Sequence, residues 1–297
     1  MQVNRTFLFA PGNHPRKVEK VFGAGADAVI LDLEDAVAAA EKAATRETVV
    51  SAMAQPRSCR GYIRINALDT EYALQDLEAV VAPNVDGLVV PKIETPEALA
   101  TAEWLVTELE RKHGLPLGKI DLLPIIETGL GVANARAIAA IAKRTKWLSF
   151  GAGDYTRDMA MDWTWAEAEC DHARAEIALA SRAEGLAAPI DTVWIHLKDE
   201  EGLIASTKRI KAMGFQGKLC IHPAQVDPVN SVFTPSADAV AHATKIVAAF
   251  DASEADGSAS IQVDGYFVDY PIVEQARRTL ALAAAAALSD SVKTDTA

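Results

Sequence analysis

Short apolar runs, each bounded by glycine, proline or a charge, alternate along this chain with longer stretches in which apolar residues recur at helical spacing. The short runs fall at residues 6–10, 28–33, 61–65, 87–91, 122–126, 147–150, 192–196 and 218–221, eight in all, and each reads as a buried strand. Between the fourth and fifth, Ala98, Leu99, Ala102, Leu105, Val106 and Leu109 trace one helix face, with Thr95 and Pro96 suited to its N-cap and first position. Eight strands, each followed by a helix-length segment, predict a parallel α/β sheet. That number closes most naturally as a (β/α)8 TIM barrel, here over residues 1–233, with an open doubly wound sheet as the alternative. Beyond it the pattern predicts a helix over 235–250, a weakly structured stretch 251–260, a further segment 261–270 and a last helix over 271–288. A barrel does not need this extension, so 234–288 is expected to be a cap over the rim or an arm to a neighbouring subunit. Residues 289–297 are expected to be a disordered tail, and no internal repeat is visible.

Composition narrows the function classes. With 297 residues, half of them apolar and 24% charged, the chain can bury a large core. Its 29 basic against 41 acidic residues give a net charge of −12, which argues against a nucleic-acid surface. Cys59, Cys170 and Cys220 lie far apart with no Cys-x-x-Cys pair, as expected for reduced thiols and for neither disulfides nor a zinc site. Residues 1–5 run straight into a strand, and the alanine-rich run 280–288 is too short to span a bilayer, so a soluble cytoplasmic protein with no membrane partner is expected.

The chemistry collects where strands end. Glu127 closes the run 122–126, and Asp154 follows the run 147–150 across Gly151-Ala152-Gly153. On neighbouring parallel strands both carboxylates emerge on one rim, where two hard oxygens plus waters and substrate suit Mg2+, or Mn2+, better than a closed Ca2+ cage. Asp154 also suits a helix N-cap. The other ends are polar too: Arg5 precedes the first strand with Arg16 and Lys17 after it, Asp32-Leu33-Glu34-Asp35 closes the second, and Arg64 the third. Lys92 closes the fourth and His222 the eighth. Arg64 within an apolar strand requires an anion, either one of those acids or a substrate carboxylate, and its residue type leaves both open. Lys92 raises Schiff-base chemistry, but Glu94 and an acid-rich rim favour an ion pair. His222 beside a proline suits a structural role at least as well as acid–base work. No Gly-x-Ser-x-Gly, Walker lysine loop or Gly-x-Gly-x-x-Gly is present.

Taken in order, Arg5–Gly12, Gly25–Val37, Arg64-Ile65-Asn66, Pro91-Lys92, Ile126-Glu127-Thr128, Gly151–Asp154, Cys220–Gln225 and Val268–Val273 resemble the citrate lyase β-subunit-like acyl-coenzyme A lyases of the HpcH/HpaI aldolase superfamily. The resemblance spans Arg5 to about Arg278. It implies a Mg2+-dependent TIM barrel that cleaves or forms a carbon–carbon bond between a coenzyme A thioester and a 2-oxo acid, with malyl-, citramalyl-, methylmalyl- or citryl-coenzyme A as substrates. It further implies that Glu127 and Asp154 bind the metal and that Arg64 meets the 2-oxo acid end. Asp269 would act as acid/base, reaching an adjacent subunit of a homotrimer or a dimer of trimers. Around that core, Asp35, Lys92, His222 and the amides of Gly151, Ala152 and Gly153 are candidates for the substrate, and Arg5, Arg16 and Lys17 for the coenzyme A phosphates. Tyr155 stands where many relatives carry leucine, and Trp163 and Trp165 lie near the rim, so the acyl pocket is expected to differ in shape. Two other classes share these residues: a metal-dependent aldolase on free 2-oxo acids, and a non-catalytic barrel subunit.

Overall fold

The structure, a computed structural model, describes residues 3–255 and 260–295. Eight strands, β1 (Thr6–Pro11), β2 (Ala28–Asp32), β3 (Arg60–Arg64), β4 (Gly87–Val90), β5 (Asp121–Ile126), β6 (Ser149–Phe150), β7 (Ile190–Asp191) and β8 (Gly217–Cys220), pair parallel in chain order, and β8 returns to β1 to close a barrel. This is the (β/α)8 closure rather than the open sheet. The helix Pro96–Lys112 starts as its sequence requires, with Pro96 in the first turn and Thr95 Oγ1 accepting the Ala98 amide at 3.2 Å. Its inner face buries Leu99, Ala102, Val106 and Leu109.

The seventh strand departs from expectation. It lies at Ile190–Asp191, before the run 192–196, which has no regular structure. The reason is electrostatic. Asp191 looks like a boundary charge, yet it is buried and held by Arg174 Nε at 2.8 Å and Lys218 Nζ at 2.6 Å. Arg174 also meets Glu167 at 3.0 Å, and Ser206 Oγ donates to the same Glu167 oxygen at 2.7 Å. Two acids and two bases thus neutralise one another, with Arg174 and Ser206 supplied by the helices Asp171–Ala183 and Glu200–Ala212.

Phe7, Ile30, Tyr62, Leu123, Trp147 and Leu219 belong to one buried cluster inside the barrel. Since side chains alternate along a strand, continuing these inward rows to the carboxyl ends predicts what faces the mouth. Ala28 and Ile30 lead to Asp32, Tyr62 leads to Arg64, and Leu123 and Ile125 lead to Glu127. At the opposite end the Arg60 guanidinium lies 5.2–5.5 Å from the ring centres of Phe7, Tyr62 and Trp147.

The chain divides into two compact units, Asn4–Asn230 and Ser231–Ala297 with Met1–Val3. The division falls inside the helix Val226–Phe233, three residues before the expected boundary. Within the second unit the helix Ala237–Ala255 runs on through the first half of the stretch 251–260, of which residues 256–259 lie outside the described residues. The segment 261–270 folds as an antiparallel hairpin, β9 (Ile261–Val263) and β10 (Tyr266–Val268), turned by Asp264 and Gly265 at positive φ. Val263 and Val268 of the hairpin pack with Ile246, Phe250 and Val273 of the flanking helices. The last helix, Tyr270–Asp295, carries the chain through most of the expected tail, and residues 296–297 lie outside the description.

Cys170 and Cys220 are buried free thiols, each pushed up to about 12 by burial, and Cys59 is half-buried. Among the described residues no helix is long and apolar enough to cross a membrane.

Candidate active site

At the carboxyl rim, Glu127 leaves β5 and points inward, only 4% exposed. Its Oε1 accepts the Lys92 amide N–H at 2.8 Å. To donate that way Lys92 adopts a left-handed backbone, φ +52°, a strained conformation for a side-chain-bearing residue. Gly151 makes the complementary space, since a Cβ there would fall 2.5 Å from Glu127 Oε2. Only glycine lets the carboxylate lie against the next strand end.

Asp154 sits in the first turn of the short helix Ala152–Asp158. One oxygen meets the exposed Arg157 at 2.5 Å and the other lies 3.8 Å from Lys92 Nζ. Lys92 Nζ itself bonds Glu34 Oε1 at 2.5 Å. Burial works against the Lys92 ammonium, but Glu34, with Glu127 and Asp154 behind it, outweighs burial and holds its pKa above the ordinary value. That is the ion-pair role, and a charged ammonium is a poor Schiff-base nucleophile.

Arg64 forks onto Asp32, Nε to Oδ1 at 2.7 Å and Nη2 to Oδ2 at 2.6 Å. Its Nη1 lies 3.1 Å from Glu34 Oε2, an ion contact without hydrogen-bond alignment. The ion-pair reading of Arg64 is therefore realised at rest, and any substrate contact must come through the Nη1 side. Asp32 takes two further amides, Glu34 N at 2.9 Å and Ala36 N at 3.1 Å. Although burial opposes ionisation, Arg64 and these amides hold Asp32 below the usual aspartate range.

Glu34 and Glu127 go the other way. Burial raises both, and Arg64 and Lys92 only partly offset it for Glu34. For Glu127 burial, followed by repulsion from Asp154 and Glu34, pushes the pKa up to about 8.

The remaining sequence candidates separate. Asp35 is exposed, 3.9 Å from Arg64 Nη1, at the edge of this cluster. Its neighbours Asp32 and Glu34 are the members that face inward, as the period-two row from Ala28 and Ile30 could have signalled. The Gly151 and Ala152 amides are already taken, by Ile126 O at 3.1 Å and Thr192 Oγ1 at 2.9 Å. This corrects their assignment to a substrate carboxylate and leaves Gly153 with the first-turn amide that a helix does not satisfy internally. His222 is exposed on the rim, and its Nδ1 accepts the Ala224 amide at 3.2 Å in a capping box with Gln225, a structural role. Arg16 and Lys17 are exposed on the helix Pro15–Val21, just past the carboxyl end of β1.

Arg5 is a correction. It precedes β1, at the opposite end of the barrel, where it is buried and clasps Asp27 through Nε at 3.0 Å and Nη2 at 2.8 Å. A guanidinium so enclosed cannot serve a coenzyme A phosphate at the rim. Asp269 belongs to the second unit, between β10 and the last helix, where its carbonyl accepts the Val273 amide at 3.0 Å. It is half-buried, and among the described residues its carboxylate has no partner.

Sequence reasoning missed Lys42. Its buried Nζ bonds Leu33 O and Glu34 O, both at 2.8 Å, and Asn66 Oδ1 at 2.6 Å, fixing the loop that carries Glu34. Nothing in the local sequence distinguishes this lysine from a surface one.

Residues 5–223 match the model of the HpcH/HpaI aldolase/citrate lyase family, and the chain belongs to that family of aldolases and lyases. It is 38% identical to the citrate lyase subunit beta of Leuconostoc mesenteroides subsp. cremoris over 98% of this chain and 96% of that one. Against the L-malyl-CoA/beta-methylmalyl-CoA lyase of Cereibacter sphaeroides it is 33% identical over 92% of each. The solved structure of protein CitE from Mycobacterium tuberculosis in complex with magnesium, acetoacetate and coenzyme A is 30% identical and superposes with a TM-score of 0.78, covering 95% of this chain and 98% of that one.

Proposed function

We propose that this chain is a Mg2+-dependent carbon–carbon lyase that cleaves, or forms, a 3-hydroxyacyl-coenzyme A thioester such as malyl-, citramalyl- or citryl-coenzyme A, giving an acyl-coenzyme A and a 2-oxo acid. One observation carries the reading. Four acids, Asp32, Glu34, Glu127 and Asp154, share the rim, and the enclosed cations that reach their carboxylates are Arg64 and Lys92, while the buried Lys42 ammonium is bound by the Leu33 and Glu34 carbonyls and Asn66. The Glu127 carboxylate, pushed up to about 8 by burial and by Asp154 and Glu34, is the group that a divalent cation would hold ionised. Two hard carboxylate donors with water and substrate fit Mg2+, or Mn2+ in its place. The complexes of related proteins with magnesium and coenzyme A, or with oxaloacetate and magnesium, point the same way.

Glu127 and Asp154 would hold the metal, which when bound polarises the oxygen that becomes the new carbonyl. Arg64, kept rigid by Asp32, would stabilise negative charge at the 2-oxo acid end. Lys92 orients Glu127 through its amide and Glu34 through its ammonium. Arg16 and Lys17, exposed on the helix after β1, would meet the coenzyme A phosphates. Asp269 would take the α-proton in synthesis and return it in cleavage. Its free carboxylate beside the exposed Tyr266, Phe267 and Tyr270 supports delivery to an adjacent subunit, in a homotrimer or a dimer of trimers.

The test is to incubate the purified protein with Mg2+ and a panel of 3-hydroxyacyl-coenzyme A thioesters and free hydroxy-oxo acids, following products by mass spectrometry. Turnover of a thioester, lost in EDTA and restored by Mg2+ or Mn2+, is expected. Turnover of free acids alone would favour the aldolase, and activity in EDTA with a borohydride-trapped adduct on Lys92 would sink the metal mechanism. For Asp269, mixing inactive Asp269→Asn and Glu127→Gln proteins under subunit exchange should restore activity. No recovery in proven mixed oligomers would place Asp269 outside a neighbour's site.

A further inference from the structure

The segment 158–165 crosses three successive strand ends on the side that carries the proposed metal ligands. It starts beyond β5, where Asp158 Oδ2 accepts the Gly129 amide at 2.8 Å, and Met159 packs so tightly on Gly129 that a Cβ there would lie 2.6 Å from its sulfur. Ala160, at φ +53°, turns the chain back. Beyond β6, Trp163 covers Gly153, with Cζ3 3.3 Å from where a Cβ would stand, one residue from Asp154. Beyond β7, Trp165 stacks on His196 with ring centres 3.4 Å apart and planes 7° from parallel, and both rings meet the edge of Trp194. The far end is pinned by the Thr164 amide and hydroxyl on Glu169, at 2.7 and 2.8 Å, and by Glu167 in the buried pairing with Arg174. The crossing is thus tied at both ends, and the half-buried Trp163 is the side chain that it lays against Gly153, while Met159, Met161 and Trp165 are exposed.

Resting on the lyase reading above, we infer that Trp163 is the specificity-determining residue for the 2-oxo acid, its indole limiting the size of an aliphatic group on the carbonyl carbon. Coenzyme A would approach from the Arg16 and Lys17 side, past β1, so the acceptor's own substituent is left facing the β6 flank, where Trp163 lies beside Asp154. An indole held in this way resists an extra methylene, and one methylene against a hydrophobic surface is worth about 10–200-fold.

The experiment measures kcat/KM for condensation of acetyl-coenzyme A with glyoxylate, pyruvate, 2-oxobutyrate and 2-oxovalerate in the presence of Mg2+. The wild-type protein should fall tenfold or more beyond pyruvate. Trp163→Ala should raise the ratio of 2-oxobutyrate to pyruvate by roughly tenfold or more, and Trp163→Phe by less, whereas Trp104→Ala, on the exposed face of the helix Pro96–Lys112, should leave it unchanged. If Trp163→Ala does not fold, Trp163→Leu and Trp163→Phe carry the series. Tryptophan fluorescence supplies a readout without turnover: pyruvate with Mg2+ should change the emission of the wild type and much less that of Trp163→Phe. A ratio steady within twofold in folded variants, or an undiminished response in Trp163→Phe, overturns the inference. A wild type inactive on every thioester overturns the lyase reading instead, and the fluorescence comparison then decides the role of Trp163 by itself.

Discussion

Two clusters of buried charge stand in the barrel unit, and they are built to opposite rules. In the wall beside β7 and β8, Glu167 and Asp191 meet Arg174 and Lys218 one for one, and although burial opposes it, Lys218 and Arg174 hold Asp191 below the ordinary aspartate range. At the rim, Asp32 and Glu34 take up Arg64 and Lys92, Glu127 has neither as a close partner, and burial with Asp154 and Glu34 forces it up to about 8. Both sites bear the desolvation of several ions, so burial does not distinguish them. Balance does. A cluster whose acids are paired needs nothing from outside, whereas on the proposed reading the unpaired Glu127 is where a divalent cation would bind.

The comparison breaks most severely in the wall. Asp191→Asn keeps the shape but leaves Arg174 and Lys218 enclosed without their common anion, a loss of about 3–5 kcal/mol. Thermal melting should drop on the order of 10 °C. The sign follows from the lowered pKa of Asp191: its contribution is present above the ordinary aspartate value of 3.8 and is lost only as pH falls through the depressed one, so the difference should persist across neutral pH. A melting point within about 2 °C of wild type would mean that the wall does not depend on its ion pairs.

The opposite outcome is expected at the rim. Glu127→Gln should abolish turnover and yet stabilise the metal-free protein at alkaline pH. A carboxyl raised from 4.5 to about 8 in the fold contributes stability that is complete below 4.5 and lost as pH rises through 8, and glutamine suffers no such loss. In EDTA the variant should melt with the wild type near pH 5 and roughly 5 °C above it near pH 8.5. Mg2+ should raise the wild-type melting point and not that of the variant. A variant less stable at both pH values would show that Glu127 is part of the scaffold.

These contrasts explain what could be read in advance. Most of the barrel is visible in the sequence because its strands are apolar runs whose burial needs no knowledge of partners; β7 is not, because Asp191 is made tolerable by Arg174 and Lys218 from distant parts of the chain. Glu127, Asp154 and Lys92 are legible because a strand end fixes the rim on which a residue emerges. Arg5 misleads for the same reason: it precedes its strand, and it is buried on Asp27 at the other end. Glu34 was within reach of the alternation rule, whereas Lys42 depends on a loop carbonyl geometry that no local pattern encodes.

Arg64 sharpens the contrast from within the rim, being the one residue there with a complete bidentate partner in Asp32. Arg64→Lys retains the charge and loses the fork, so kcat/KM should fall by roughly 1.5–3 kcal/mol, the worth of a charged hydrogen bond. The fold should survive, as read by circular dichroism. Unfolding together with normal kinetics in the soluble remainder would move Arg64 into the class of the wall residues.

The smallest effect tests whether the exposed cation at the rim counts as compensation. Arg157 contacts Asp154 at 2.5 Å, but its side chain is 74% exposed and water screens the pair. Were Arg157 a true counter-ion, the rim would be less deficient and a metal would compete with a real partner. Screening predicts otherwise: Arg157→Gln should change melting by no more than about 0.5 kcal/mol and tighten Mg2+ binding by at most about fivefold, the range of an exposed ion pair. Calorimetric titration of Mg2+ into both proteins at low and moderate salt measures it, and the gap should narrow as salt rises. A gain well beyond tenfold, unmoved by salt, would show that Arg157 neutralises Asp154 as effectively as Lys218 neutralises Asp191, and the distinction between the two clusters would fail at that residue.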